Sequence, residues 1–350
     1  MKTLLLLALV WNGLEVWDKR VVPLPDGSER VEMSVYNRGD DTSGRERRKD
    51  EIRELFEKVS AAVGYRVDAF NAPHKKQRNG GFQYELKGVS WGITDGVLDY
   101  VRITTGGAVK RAAKDDIVKR VKRRPSGDVL IDSVPMVDQG QKGYCAVAVA
   151  ERVLRYYGNA VDEHQLAQMA GSTAGGGTSV DEMKASVKEI GSRCRLGFNE
   201  IVSMSGTMKD IRKEIESYNK AAKALKKPPL DFDRFIVGNT FMVAQMREAM
   251  DPDVLLRMRV KDSRYKKFMT CVKTCVDRGV PVFWGVTLGI FPESGLPQQF
   301  GGHMRLIIGY NAAANEILYS DSWGPGHELK RMRADRAFAI THDAFTLRAL

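Results

Sequence analysis

VDQGQKGYCAVAVAERVLRYYG, residues 137–158, joins a polar segment that contains two glycines to a run whose apolar residues have helical spacing. This pattern predicts a helix that begins at Cys145. The unpaired N–H groups and the peptide dipoles at a helix N-terminus favour a thiolate, which is the nucleophilic form of cysteine. Taken alone, the segment fits a buried structural cysteine better than a nucleophile, so the interpretation depends on the rest of the chain.

Gln139 lies six residues before Cys145. Its side-chain amide is suited to donate a hydrogen bond to a developing oxyanion, and the backbone N–H of Cys145 would supply the second donor. Gln141 lies close by and is the alternative donor. The residues alone leave this choice open.

The base is sought among five histidines. His303 stands in GGHMRLIIGY, where it follows two glycines and precedes an apolar run, and this pattern predicts the start of a buried strand. Glycines at that point allow another backbone or a substrate to come close. The other four stand in polar segments, a turn or an exposed helix, and we interpret them as structural or solvated: His74, His164, His327 and His342.

Asp321 stands at the end of the next predicted strand, in ANEILYSDSWGPG. A hairpin of the two strands would bring the end of the second beside the start of the first, and so Asp321 beside His303. A carboxylate there would fix the imidazole tautomer and stabilise the imidazolium. Trp323 and Gly324 would shield the pair from water. The alternative is that Asp321 is only a turn residue.

These residues together resemble papain-like cysteine peptidases, in which a glutamine precedes the nucleophilic cysteine by six positions and the orienting residue opens a Ser-Trp-Gly motif. The matching positions are Gln139, Cys145, His303 and Asp321, and the spacing selects Gln139 over Gln141. Gly-Tyr precedes the cysteine in place of the usual Gly-Ser-Cys-Trp setting. Aspartate also stands where papain has asparagine. Because asparagine serves in related sites, the resemblance implies that Asp321→Asn retains substantial activity, whereas Asp321→Ala loses much more.

A second resemblance covers GYCAVAVAERVLRYYGNAVDEHQLAQMAGSTAGGGTSVDEMKASVKEIG, residues 143–191. This stretch is similar to the peptidase domain of bacteriocin-processing, double-glycine leader peptidases, a bacterial group that shares the LRYYG helix end, an AG turn, a GTS helix start and an aspartate in the triad. The similarity spans residues 135–198 and 301–327, and about a hundred residues between them have no counterpart. The transporter membrane and ATPase segments that often accompany such peptidases are not recognised here, so we expect a stand-alone relative.

The resemblance implies an α+β fold, a papain-like thiol peptidase domain. A helical part carries the nucleophile helix, and an antiparallel sheet carries His303 and Asp321. The function implied is a cysteine peptidase that hydrolyses a peptide or protein substrate through an acyl-enzyme on Cys145, with no cofactor and no metal. Two alternatives stay open. One is an amidase or acyltransferase that uses the same triad, and the other is a catalytically inert binding protein that engages an acidic partner.

A chain of 350 residues favours two domains. Residues 15–125 are expected to form a small α+β domain, with an amphipathic helix at 46–64 and strands in FQYEL, VSWGI and VLDYVRI. Residues 126–350 are expected to form the peptidase domain. The breaker Pro-Ser-Gly at 125–127 marks the boundary.

Residues 1–14 begin with MKTLLLLALVW, which is typical of a signal-peptide core and is too short to cross a bilayer as a helix. Export to the periplasm or the extracellular space is therefore expected, and a buried N-terminal strand in a cytoplasmic protein is the alternative. The net charge of +11 is concentrated in runs such as VKRAAKDDIVKRVKRR, which favours a solvated basic helix. No nucleic-acid-binding module is recognised, so no nucleic-acid partner is expected. Cys271 and Cys275 are expected to be core thiols.

Overall fold

The structure is a computed structural model that describes residues 14–23, 29–37, 74–76, 82–86, 89–93, 99–105, 114–139, 145–159, 180–204, 206–238, 240–293 and 299–349. The described residues belong to two compact units. One contains the strands up to residue 105, and the other contains what is described of residues 112–159 and 183–350. The domain roles and the boundary at residue 126 stay predictions, as does the leader, because residues 1–13 lie outside the described part.

The first unit contains an antiparallel sheet with the strand order β1-β2-β6-β5-β4-β3. Its strands are β1 Leu14–Pro23, β2 Glu29–Asn37, β3 His74–Lys76, β4 Phe82–Leu86, β5 Val89–Ile93 and β6 Asp99–Thr105. The three strands predicted from FQYEL, VSWGI and VLDYVRI are confirmed, and β5 pairs with β6 as the hairpin signal indicated. The helix predicted at 46–64 lies outside the described residues.

Eight α-helices are described from residue 114 onward. They are α1 Lys114–Lys119, α2 Cys145–Tyr156, α3 Val180–Arg193, α4 Met208–Leu225, α5 Val243–Glu248, α6 Pro252–Val260, α7 Ser263–Asp277 and α8 Ala334–Ile340. The helix predicted from the 137–158 segment is α2, and it begins at Cys145 as expected. Among the described residues, no helix is both long enough and apolar enough to span a bilayer.

The second unit is built on an eight-stranded antiparallel sheet. Along its main path the order is β15-β14-β13-β12-β16-β9, while β8 pairs with both β13 and β7. The strands are β7 Val121–Arg123, β8 Asp128–Ile131, β9 Leu196–Ser203, β12 Val282–Leu288, β13 Gly301–Asn311, β14 Glu316–Ser320, β15 Lys330–Arg333 and β16 Thr341–Ala349, with β10 Ile236–Val237 and β11 Thr240–Phe241 forming a separate pair. All seven residues of β12 are buried, so the sheet is covered at its centre.

The single basic helix predicted from VKRAAKDDIVKRVKRR is wrong in its second half. Helix α1 ends at Lys119, and the chain continues as strand β7, which pairs with β8. Gly127, at φ +86°, makes the tight turn between the two strands. Helix propensity is a weak preference that tertiary context often overrides, and residues Val121–Arg123 pair with β8 instead.

Helix α2 is the element that positions the nucleophile. It packs against β13, and ten of its twelve residues are buried, among them Val147, Val149 and Val153. Full burial of such side chains contributes about 2 kcal/mol each. Near its end, the hydroxyl of Tyr156 donates to the carbonyl of Gly279 at 2.8 Å. The helix is therefore held by its packing on β13 and, near its C-terminal end, by the turn that follows α7.

Candidate active site

His303 and Asp321 lie on adjacent strands of the sheet. His303 is the third residue of β13, and Asp321 directly follows β14, which pairs antiparallel with β13. The predicted hairpin is therefore confirmed. The Nε2 atom of His303 lies 2.5 Å from Oδ1 of Asp321, and the two residues are 6% and 0% exposed. The carboxylate is thus in place to hold the imidazole ring in one orientation.

Cys145 is the first residue of α2, and its thiol hydrogen-bonds with His303. Because Nε2 of His303 is taken by Asp321, Nδ1 is the ring nitrogen left for the thiol. Burial raises the pKa of the Cys145 thiol, but the hydrogen bond and charge of His303 and the backbone N–H groups of Met304 and Ala146 lower it more, and the net direction is down. Burial lowers the pKa of His303, while hydrogen bonds with Asp321 and Cys145 raise it to about 9. Both shifts favour a thiolate–imidazolium pair.

Arg305 completes the surroundings of the Asp321 carboxylate. Its Nε donates to Oδ2 at 2.8 Å, and the backbone N–H of Ser322 donates to Oδ1 at 3.0 Å. Burial raises the pKa of the Asp321 carboxyl, but His303 and Arg305 lower it more, and the net direction is down. Arg305 was not selected from the sequence. The signal for it was a charged residue inside the apolar run after His303.

Arg152 links the nucleophile helix to the segment that carries Asp321. It is 1% exposed and lies two helical turns after Cys145. Its guanidinium donates to the carbonyls of Pro135 at 2.8 Å and Asp321 at 2.9 Å, and to the hydroxyl of Ser320 at 2.5 Å. Burial lowers the pKa of Arg152 to about 10. This value is still well above neutral pH, so the guanidinium is charged there. Sequence reasoning missed this residue because its partners lie up to 169 positions away.

The two sides of His303 differ in openness. The Trp323 ring stacks on the imidazole with ring centroids 4.5 Å apart and an angle of 11° between planes. Gly324, at φ +80°, lies so close to Asp138 that an added Cβ would be 2.8 Å from its carboxylate oxygen. An added Cβ at Gly301 or Gly302 would instead meet no atom of the described residues within 4 Å. Within the described part of the chain, the space beside these two glycines is therefore open.

Gln139 is buried, and its backbone N–H donates to the carbonyl of Ser322 at 2.8 Å. Its side-chain Oε1 has no hydrogen-bond partner among the residues that the structure describes. The competing donor Gln141 lies outside the described residues. Of the histidines interpreted as structural, His327 packs edge-on against Trp323, and His342 hydrogen-bonds the Val286 carbonyl at 3.0 Å.

Other features of the described residues do not alter this site. No group of three or more histidine, cysteine or acidic side chains is arranged to hold a metal within the described ranges. None of the four cysteines forms a disulfide. Burial raises the pKa of Cys275 to about 11, which makes it a poor nucleophile. A cavity of about 820 Å³ lies between α4 and α6, and neither Cys145, His303 nor Asp321 lines it.

Comparison with known proteins places the chain in a family. No curated protein matches the chain. Two similar solved structures are the peptidase domain of Streptococcus ComA, a bi-functional ABC transporter involved in a quorum-sensing pathway, and xylellain, a cysteine protease from Xylella fastidiosa. The first is 11% identical and covers 62% of this chain and 100% of its own, with a TM-score of 0.30. The second is 14% identical and covers 69% and 91%, with a TM-score of 0.29. Residues 131–346, more than half of the chain, match the Peptidase_C39 like family, and the chain therefore belongs to that family.

Proposed function

We propose that the chain is a cysteine peptidase that hydrolyses peptide bonds through an acyl-enzyme on Cys145, with His303 as the base and Asp321 as its orienter. One observation carries the proposal. A continuous series of hydrogen bonds runs from a thiol at a helix N-terminus through His303 to a buried carboxylate. Membership of the peptidase family and the room at the two glycines before His303 support it.

The reaction divides into two steps that balance in protons. The Cys145 thiolate attacks the carbonyl carbon of the substrate, and the His303 imidazolium gives its Nδ1 proton to the leaving amine as the C–N bond breaks. The thioester that remains is attacked by water, which gives its proton to Nδ1 of His303. The carboxylic acid then leaves, and the thiolate–imidazolium pair forms again. Asp321 holds Nε2 throughout and does not take the proton.

Gln139 is the proposed oxyanion donor, together with the backbone N–H of Cys145. Cys145 opens helix α2, and Gln139 precedes it in the chain. The backbone N–H of Gln139 donates to the carbonyl of Ser322, in the segment that follows Asp321. Donors held before the reaction begins stabilise a negative oxygen without reorganisation. A peptide or protein segment that passes over Gly301 and Gly302 is the proposed substrate.

The test is labelling by a peptidyl acyloxymethyl ketone, in which a peptidase thiolate displaces the carboxylate from the methylene carbon beside the ketone and forms a thioether. Mass spectrometry of the intact and digested protein should show one adduct, on Cys145. Cys145→Ala should abolish the label while the fold survives, and the matched variant Cys275→Ala should label at the wild-type rate. A wild-type protein that stays unlabelled would favour a catalytically inert binding protein. Labelled protein that cleaves small amides but no member of a peptide library would favour the amidase alternative.

A further inference from the structure

We propose that Arg305 is a positioning residue that requires the orienter of this site to be aspartate and not asparagine. The inference rests on the proposed function and names a further residue of the same site. Arg305 follows His303 by two positions in β13, so both side chains lie on one face of the strand. Oδ1 of Asp321 accepts from His303 at 2.5 Å, and Oδ2 accepts from Nε of Arg305 at 2.8 Å. With the Ser322 backbone N–H on Oδ1, one carboxylate therefore serves three donors.

Arg305 is held at its far end and has no room to turn away. Its Nη1 donates to both carboxylate oxygens of Glu293, at 3.1 and 3.0 Å. The Tyr319 hydroxyl donates to the same carboxylate, and the Tyr319 ring lies 4.7 Å from the guanidinium carbon. Arg305 is 0% exposed. Its Nε–H therefore points at the side chain at position 321, whether that residue is aspartate or asparagine.

An asparagine side chain cannot satisfy both neighbours. It offers one acceptor oxygen and one NH₂ donor, whereas the carboxylate offers two acceptors. With the oxygen toward His303, the NH₂ group faces the Nε–H of Arg305, and two donors meet. With the amide reversed, His303 loses its acceptor. Water cannot relieve either arrangement at a site this buried, so a donor stays unmatched. We therefore expect Asp321→Asn to lose much of its activity. This differs from the resemblance, which implies that the variant retains substantial activity.

A second substitution would compensate for this loss. In the double variant Asp321→Asn with Arg305→Gln, the glutamine oxygen takes the place of Nε and accepts from the asparagine NH₂. The donor that opposed the asparagine NH₂ is then gone, and no buried charge at position 305 lacks its partner. Arg305→Gln alone should be harmful, because it leaves the Asp321 carboxylate buried without its cation.

The experiment compares the wild type, both single variants and the double variant by the rate of Cys145 labelling with the peptidyl acyloxymethyl ketone. Each single variant should label about tenfold more slowly or worse, the scale of an unmatched buried group, and the double variant should recover to within about threefold of the wild type. Arg259→Gln is the matched control, because Arg259 is also buried and paired with an acid, Glu214. Combined with Asp321→Asn, it should give no recovery.

Two further readouts separate positioning from general damage. In the double variant the labelling rate should fall with rising pH at a lower pH than in the wild type, because His303 has no carboxylate beside it to raise its pKa. Its melting temperature should exceed that of Arg305→Gln. If Asp321→Asn alone labels like the wild type, or the double variant is no better than the singles, Arg305 does not impose the choice of orienter. If the wild type itself is not labelled at Cys145, the proposed function fails, and the melting temperatures alone decide whether the two residues are paired.

Discussion

At Asp321 one carboxylate is shared by a base and a buried cation. Its Oδ1 fixes His303 and its Oδ2 meets Arg305, so part of its charge is balanced before His303 is protonated. The imidazolium is nonetheless favoured, with the pKa of His303 raised to about 9. Orientation and charge at the base therefore depend on the same side chain.

The pH dependence of labelling follows from these two shifts. The thiol pKa lies below its ordinary value and the His303 pKa lies at about 9, so the reactive ion pair exists between them. We expect the labelling rate of Cys145 to increase with pH across the acid range, as the thiolate forms, and to fall as pH passes about 9. The His303 pKa is raised from 6.5 to about 9 by folding. The stability that this group contributes is therefore complete below pH 6.5 and is lost as pH rises through about 9. Labelling rates and melting temperatures across pH check this, and a basic limb near 6.5 would contradict it.

Removal of the Gln139 amide tests the oxyanion site. Gln139→Ala should lower kcat, or the maximal labelling rate, by about a hundredfold, with less effect on binding of the probe. The backbone bond from Gln139 to Ser322 does not involve the side chain, so the fold should be kept. Gln141→Ala is the control and should be milder. A larger loss at Gln141 would transfer the role of donor to that residue.

At the level of elements, helix α3 is joined to the sheet by the partly buried side chain of Lys184. Lys184 donates to the Asp343 carboxylate on β16, and its Nζ lies 3.2 Å from Glu200 on β9. Asp343 is 2% exposed and also hydrogen-bonds with His342. One lysine therefore ties the helix to two neighbouring strands.

Lys184→Met should destabilise the protein by about 3 kcal/mol, because it leaves the Asp343 carboxylate buried without its cation. Burial raises the pKa of Asp343, but His342 and Lys184 lower it more. A carboxyl group whose pKa is lowered by folding stabilises the protein at pH values above its unfolded pKa. This stabilisation is lost as pH falls through the folded pKa, so the unfolding free energies of the variant and the wild type should converge in acid. Urea unfolding at several pH values measures this. Lys188→Met, an exposed position on the same helix, is the control, and an equal loss there would remove the ion pair as the cause.

Across the whole molecule, the features that sequence predicted are those set by local pattern. The start of α2 at Cys145 follows from apolar spacing, and the approach of Asp321 to His303 follows from a hairpin between consecutive strands. Arg152 and Arg305 could be seen as charges within apolar runs, but a sequence does not state which distant acceptor a buried guanidinium will find. The basic helix was wrong for a related reason, since β7 is fixed by its pairing with β8.

The contacts of Arg152 determine how the site is lost on heating. This one side chain bonds to Pro135, to Ser320 and to the carbonyl of Asp321. Cys145 cannot separate from Asp321 unless these buried bonds break, and regions held in this way open only with the global transition. We therefore expect the site to belong to the most stable cooperative unit and not to open by itself. Loss of catalytic competence and loss of the folded core should accordingly follow one and the same melting curve.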